Sequence, residues 1–195
     1  MRPNNYRFIE LVSQVHRLEP IVEYGSCRVS KDQEKINNLR KLFKRLDYTG
    51  YDLATGKGVD KVDDLVYSSL QSKSVGTLLC CETLEHVFEV HKAVKQLIRI
   101  VKKDGLIVVT IPSGDFPLHM LPDYWRISSE ALDKLFEKIP YRTIVFQGFL
   151  ECAHTVMGTF TFDKQVHEKV RNHLFTNMTS IPAVQPEDNI YLWIN

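Results

Sequence analysis

The chain has 195 residues, 44% of them apolar and 25% charged, enough for one globular domain with a two- or three-layer core. A net charge of +1 and a pI of about 7.7 provide no global field for nucleic acid or an anionic membrane. No run approaches the roughly 20 apolar residues of a membrane span. Four cysteines, Cys27, Cys80, Cys81 and Cys152, form no C-x-x-C pair, which argues against a zinc knuckle or a dithiol redox centre and fits a reducing compartment. The opening MRPNNYRFIE lacks the unbroken apolar stretch of a signal peptide. A cytoplasmic protein with no specific nucleic acid partner and no membrane partner is expected.

In chain order, Tyr6, Ile9, Leu11, Val12, Val15 and Leu18 form an approximate helical stripe, giving an N-terminal helix within residues 1–18. Pro20 then opens a short strand, IVEY, which runs into GSCRVS. Ile36, Leu39, Leu42, Phe43 and Leu46 recur at helical spacing. Lys41, Lys44 and Arg45 read as the solvated face of that helix rather than a binding patch. YTGYDL is a strand ending in Asp52, followed by a loop with Gly56 and Gly58. VGTLLCC, residues 75–81, is a continuous apolar run of strand length. Val87, Val90, Val94, Leu97, Ile98 and Val101 mark an amphipathic helix. Asp104-Gly105 turns the chain into LIVVTIP, a β-branched strand stopped by Pro112.

Continuous rather than alternating apolar strands imply a parallel sheet covered on both faces. Right-handed crossovers place the strand C-termini on one edge, where ligands bind. Glu23, Gly25, Asp52 and the stretch Glu82–His86 all fall at strand exits on that edge. After Pro112, Ser128 or Ser129 can cap a helix through Leu132, Leu135 and Phe136. RTIVFQGF and TVMGTFTF read as an antiparallel pair, and DKQVHEKVRNHLF as a last helix. Residues 164–195 form a C-terminal extension of the single domain, with no assignment for the tail.

Asp52 offers two acceptor oxygens at the exit of the second strand, suited to both hydroxyls of a ribose; capping a turn is the alternative. A dinucleotide needs several glycines, so that backbone amides can close on a pyrophosphate. GSCRVS supplies only one. S-adenosyl-L-methionine (SAM) carries no phosphate, so one glycine and a nearby acid, Glu23, suffice for its methionine end. The loop therefore disfavours NAD and tolerates SAM.

CCETLEHV, followed by HKAVKQLIRIVKKDGLIVVTIP, resembles the segment after the fourth strand of class I SAM-dependent methyltransferases of the small-molecule type. YTGYDLATGKGVDKVDDL is similar to the second-strand acid and downstream Asp-Leu of that family. LPDYWRISSEALDKLFE resembles an Asp-Tyr-Trp-Arg segment found in one branch. Together the resemblance spans roughly residues 20–138; the second and third glycines of the family's first loop are missing here.

The resemblance implies a Rossmann-like, doubly wound, seven-stranded, mostly parallel sheet with an antiparallel last strand and helices on both faces. It implies SAM as cofactor, a small-molecule acceptor and a SAM-dependent methyltransferase activity, with a homodimer left open. Glu23, Gly25 and Ser26 would contact or orient the methionine end, Asp52 would hold the ribose, and Leu53 would lie against the adenine. Asp64 and Leu65 match the adenine-edge pair, while Cys81 and Glu82 would stand beside the reactive methyl. His86 is either a general base or a residue that caps the next helix or packs under the site. Glu82, Glu85 and His86 also match a magnesium pattern of some relatives, but the reading taken is no metal. Tyr124, Trp125 and Arg126 either wall the substrate pocket or pin their own loop. A non-catalytic binding or regulatory protein with the same fold is the alternative function, and an NAD-dependent oxidoreductase the third.

Overall fold

The computed structural model describes residues 2–28, 38–114, 116–118, 120–149, 152–178 and 190–194, with backbone alone for 191–194. Helix α1, Pro3–Val15, starts with proline in its first turn, where a missing N–H costs nothing, and buries Phe8, Ile9, Leu11 and Val12. Strand β1, Ile21–Tyr24, and strand β2, Tyr48–Asp52, follow, joined to the two-residue strand β3, Lys61–Val62. Strand β4, Val75–Cys81, is buried throughout. Helix α2, Val90–Ile100, turns Val90, Ala93, Val94, Leu97 and Ile100 inward at helical spacing. Strand β5, Val101–Pro112, starts directly at its end.

Helix α3, Ser129–Leu135, is capped by the Ser128 hydroxyl, which accepts from the Ala131 amide at 3.2 Å. Strands β6, Tyr141–Gly148, and β7, Ala153–Thr161, form the expected antiparallel pair. Helix α4, Lys164–Met178, and strand β8, Ile190–Ile194, complete the chain.

The sheet order is β3-β2-β1-β4-β5-β7-β6-β8. Strands β1 to β5 pair in parallel, β7 runs antiparallel between β5 and β6, and β8 runs antiparallel beside β6. The six strands read from the sequence are present, β3 supplies the seventh that the resemblance implies, and among the described residues β8 adds an eighth from the unassigned tail. Alternate residues feed two cores. Val22, Leu78, Ile107 and Ile144 meet α2 and α3 on one face. Ile21, Leu79, Val108 and Val145 meet α1 and α4 on the other. This period of two on strands buried on both faces explains their unbroken apolar runs.

Two local expectations are corrected. Asp104-Gly105 is not a separate turn. It lies inside β5, where a register shift between the Val75–Val101 and Thr77–Leu106 pairs lets Lys103 and Asp104 face solvent. The helix expected from Ile36 to Leu46 is, among the described residues, a short 3-10 helix, Leu39–Phe43, capped by the Asn38 side chain. Ile36 and the loop residues Val29 and Ser30 lie outside the described residues.

Candidate functional site

A cavity of about 630 Å³ opens at the C-terminal ends of β1, β2 and β4. That volume is in the range of small-molecule sites. Its floor is the turn after β1. Gly25 adopts φ +78°, and a Cβ there would lie 2.0 Å from Thr83 Oγ1. Only glycine meets both demands. The amides of Gly25 and Ser26 both donate to the Tyr51 carbonyl, at 3.0 and 3.1 Å, and the Cys27 amide donates to Asp52 Oδ2 at 3.0 Å. The turn is therefore tied to the end of β2 at three consecutive residues.

Asp52 faces the cavity while also accepting the Leu53 amide at 2.8 Å. Leu53 is 67% exposed at the rim. Beyond β3, Asp64 and Leu65 line the same end, with Asp64 capping a 3-10 helix, Leu65–Tyr67, through the Val66 amide at 2.8 Å. Asp63 lines the cavity too, accepting from the Tyr24 hydroxyl at 2.6 Å. The doubled acid in "VDDL" signals both, although the resemblance points to Asp64 alone.

At the other end, Cys81 and Glu82 leave β4. Glu82 has φ +50°, a conformation uncommon for a side-chain-bearing residue. It is held there by its amide, which donates to the Thr110 carbonyl at 2.8 Å, and by Oε1, which accepts from Asn5 and from the Thr110 hydroxyl at 2.7 and 2.9 Å. Burial pushes the Cys80 and Cys81 thiols up, and nearby groups, Glu85 for Cys80 and Cys80 itself for Cys81, add to it.

His86 closes a 3-10 helix, Leu84–His86, and lines the cavity. Its Nδ1 lies 2.7 Å from the Pro122 carbonyl, which can only accept, so Nδ1 carries the proton and Nε2 is the basic nitrogen of the neutral ring. Nε2 is 3.8 Å from Glu85 Oε1. Glu85 is fully buried, and among the described residues neither carboxylate oxygen has a hydrogen-bond partner. Burial, reinforced by Glu82, pushes its carboxyl well above the usual range.

Tyr124 reaches the rim, packed edge-on against Phe88 with ring centroids 5.3 Å apart. Trp125 and Arg126 are absent from the lining. Trp125 donates from Nε1 to the Val87 carbonyl at 3.0 Å, behind Phe88. Arg126 grips both Asp123 oxygens at 2.6 and 2.8 Å and the carbonyls of Phe116 and Pro117 at 2.8 and 2.9 Å. Both pin the loop, the alternative given above. Ser26 is also absent from the lining, being fully buried against Gly50.

Glu23 lies under the cavity. Nη2 of Arg28 donates to its two oxygens at 3.2 and 3.0 Å, and the Tyr48 hydroxyl donates to Oε2 at 2.5 Å. Burial pushes the Glu23 carboxyl up, while Arg28 and Tyr48 oppose that shift. Arg28 is a lining residue that sequence reasoning treated only as a departure from the glycine pattern. Its signal was a cation five residues after a strand-end acid. Among the described residues, no group of three or more His, Cys, Asp or Glu side chains is placed to hold a metal ion.

The sheet, with β7 antiparallel between β5 and β6, superposes on solved structures. The fold is that of the class I SAM-dependent methyltransferases. A SAM-dependent methyltransferase from Thermotoga maritima, a possible histamine N-methyltransferase, superposes with a TM-score of 0.57 at 17% identity, covering 82% of this chain and 92% of that one. A putative methyltransferase from Bacillus halodurans gives 0.54 at 10% identity over 78% of this chain and 97% of its own. A phosphoethanolamine N-methyltransferase from Haemonchus contortus, solved with phosphomonomethylethanolamine and S-adenosylhomocysteine, gives 0.54 at 12% identity over 71% of this chain and 38% of its own. No family model and no curated protein sequence matches the chain. At these identities the likeness is one of methyltransferase fold.

Proposed function

We propose that the chain is a SAM-dependent methyltransferase acting on a small-molecule acceptor. One observation carries this reading: a cavity of about 630 Å³ at the parallel strand ends runs from Asp52 at the exit of β2, over Gly25, to Glu82 and His86 beyond β4. The residues present fit SAM. Gly25 permits close backbone approach, Asp52 supplies carboxylate acceptors for a ribose, and the buried donor Arg28 Nε lacks a partner among the described residues. Solved methyltransferases of this fold bind S-adenosylhomocysteine, among them the Haemonchus enzyme and the trans-methyltransferase CalH.

In this reading Asp52 accepts from the ribose hydroxyls, and Leu53 and Leu65 flank the adenine beside Asp64. Cys81 and Glu82 border the reacting end. When bound, the cofactor would supply an electrophilic methyl carbon on a thioether that is neutral once the methyl is transferred. His86 takes the acceptor's proton at Nε2, while Pro122 holds the ring through Nδ1. The chain's own contribution is then mainly alignment and exclusion of water. Phe88, Met120 and Tyr124 give the acceptor end an apolar rim. Among the described residues no helix is long and apolar enough to cross a membrane. Four free thiols fit a cytoplasmic location.

The second reading, a non-catalytic binding protein of this fold, draws on Arg28, which stands in a loop where the resemblance leads one to expect further glycines. Incubation with methyl-labelled SAM and fractionated metabolites separates the two. Label transferred to a small molecule supports the enzyme, whereas saturable S-adenosylhomocysteine binding without transfer to any fraction supports the binding protein.

A further inference from the structure

We propose that Arg28 binds the α-carboxylate of the cofactor's methionine end, a cationic side chain taking over from the amides that a glycine-rich loop would expose. This rests on the SAM reading above. SAM and S-adenosylhomocysteine each carry one anionic group, that carboxylate, and Arg28 is the lysine or arginine among the described residues lining the cavity.

The position is built rather than incidental. The Arg28 amide donates to the Lys57 carbonyl at 2.8 Å, which fixes the backbone. Gly58, at φ +92°, leaves room for the stem, because a Cβ there would lie 3.1 Å from Arg28 Cγ and 2.6 Å from the Ser26 carbonyl oxygen. Among the described residues the guanidinium is held through Nη2, against both oxygens of Glu23. The side chain is 10% exposed, and Nε is buried with no hydrogen-bond partner among the described residues.

A buried donor without a partner is costly unless a ligand completes it. A guanidinium presents several N–H groups in a plane, a geometry that matches a carboxylate. Glu23 has both oxygens engaged by Arg28 and Tyr48 and is 2% exposed. It is thus a positioning residue that aims the cation, and the ligand contact falls to Arg28. This answers how a loop with one glycine could serve a cofactor that has no phosphate but does have a carboxylate.

The test is calorimetric and needs no acceptor. S-adenosylhomocysteine and its decarboxylated thioether, which keeps the amine, are titrated into wild type, Arg28→Gln and Arg28→Lys. Wild type is expected to bind S-adenosylhomocysteine at least about tenfold more tightly than the decarboxylated form, as for a charge-assisted contact. Arg28→Gln should erase that preference by weakening S-adenosylhomocysteine alone, and Arg28→Lys should retain part of it. Equal losses for both ligands in Arg28→Gln, or no preference in wild type, overturn the assignment while leaving the cofactor reading intact. Failure of wild type to bind either ligand overturns both. Should Arg28→Gln lack a cooperative unfolding transition, the wild-type preference and its reduction in Arg28→Lys decide the matter.

Discussion

Gly25 and Thr83 hold the two halves of the site in contact. The glycine Cα hydrogen points where a Cβ would fall 2.0 Å from Thr83 Oγ1, and that hydroxyl is fixed by the Tyr24 and Cys81 carbonyls at 3.2 and 3.0 Å. The exit of β1 and the exit of β4 are thereby closed on each other. Gly25→Ala should destabilise the fold by about 3 kcal/mol, combining the cost of a left-handed alanine with steric overlap. Adding Thr83→Ala should return the overlap component but not the conformational one. Urea unfolding of the two single variants and the double variant checks this, and strict additivity would contradict the contact.

Asp52 has two roles in the structure, facing the cavity and accepting the Cys27 and Leu53 amides. Asp52→Ala should weaken S-adenosylhomocysteine by about 2 kcal/mol, roughly thirtyfold in Kd. Unchanged affinity in a folded variant would remove Asp52 from the ribose.

His86 presents Nε2 as its basic nitrogen because Nδ1 faces the Pro122 carbonyl. Once an acceptor is known, His86→Ala should lower kcat by about a hundredfold or more, with SAM affinity nearly unchanged. Wild-type kcat in the variant would reduce His86 to a residue that fastens the 120s loop.

Glu85 links stability to pH. Burial raises its carboxyl pKa in the folded state, so between the unfolded and folded values the folded chain binds more protons than the unfolded one. Stability from this group is fully present below the unfolded pKa and is lost as pH rises through the folded pKa. Each unit of elevation corresponds to about 1.4 kcal/mol. Glu85→Gln should flatten that decline and stabilise the protein at neutral pH. Denaturant midpoints from about pH 4, near an unperturbed carboxyl, to about pH 8 measure it, and parallel profiles for the two proteins would show that Glu85 is not the group concerned.

Most of the sheet could be read from the sequence because strands buried on both faces leave unbroken apolar runs, as in VGTLLCC and LIVVTIP. Strand β8 could not, although IYLWI is itself an apolar run, because five such residues do not separate a strand from a buried helix segment until their pairing beside β6 is seen. At the site, the strand-exit positions Gly25, Asp52, Cys81, Glu82 and His86 were legible as an edge, and the cavity gathers them. Trp125 and Arg126 were not separable from pocket walls, because their hydrogen bonds go to carbonyls of Val87, Phe116 and Pro117, which local sequence does not reveal. Arg28 was visible only as a missing glycine. Its pairing with Glu23 depends on the course of the turn, which is set by contacts with the Gly56–Gly58 loop.

The central claim is that this cavity is a SAM site in which a one-glycine loop replaces the dinucleotide pattern. Titration of S-adenosylhomocysteine into the wild-type chain by calorimetry, repeated with NAD, tests it most directly. Expected is saturable one-site binding of S-adenosylhomocysteine and no specific binding of NAD, whose pyrophosphate needs free backbone amides, whereas the Cys27 and Arg28 amides already donate to Asp52 and to the Lys57 carbonyl. Saturable micromolar binding of NAD that S-adenosylhomocysteine cannot displace would contradict it.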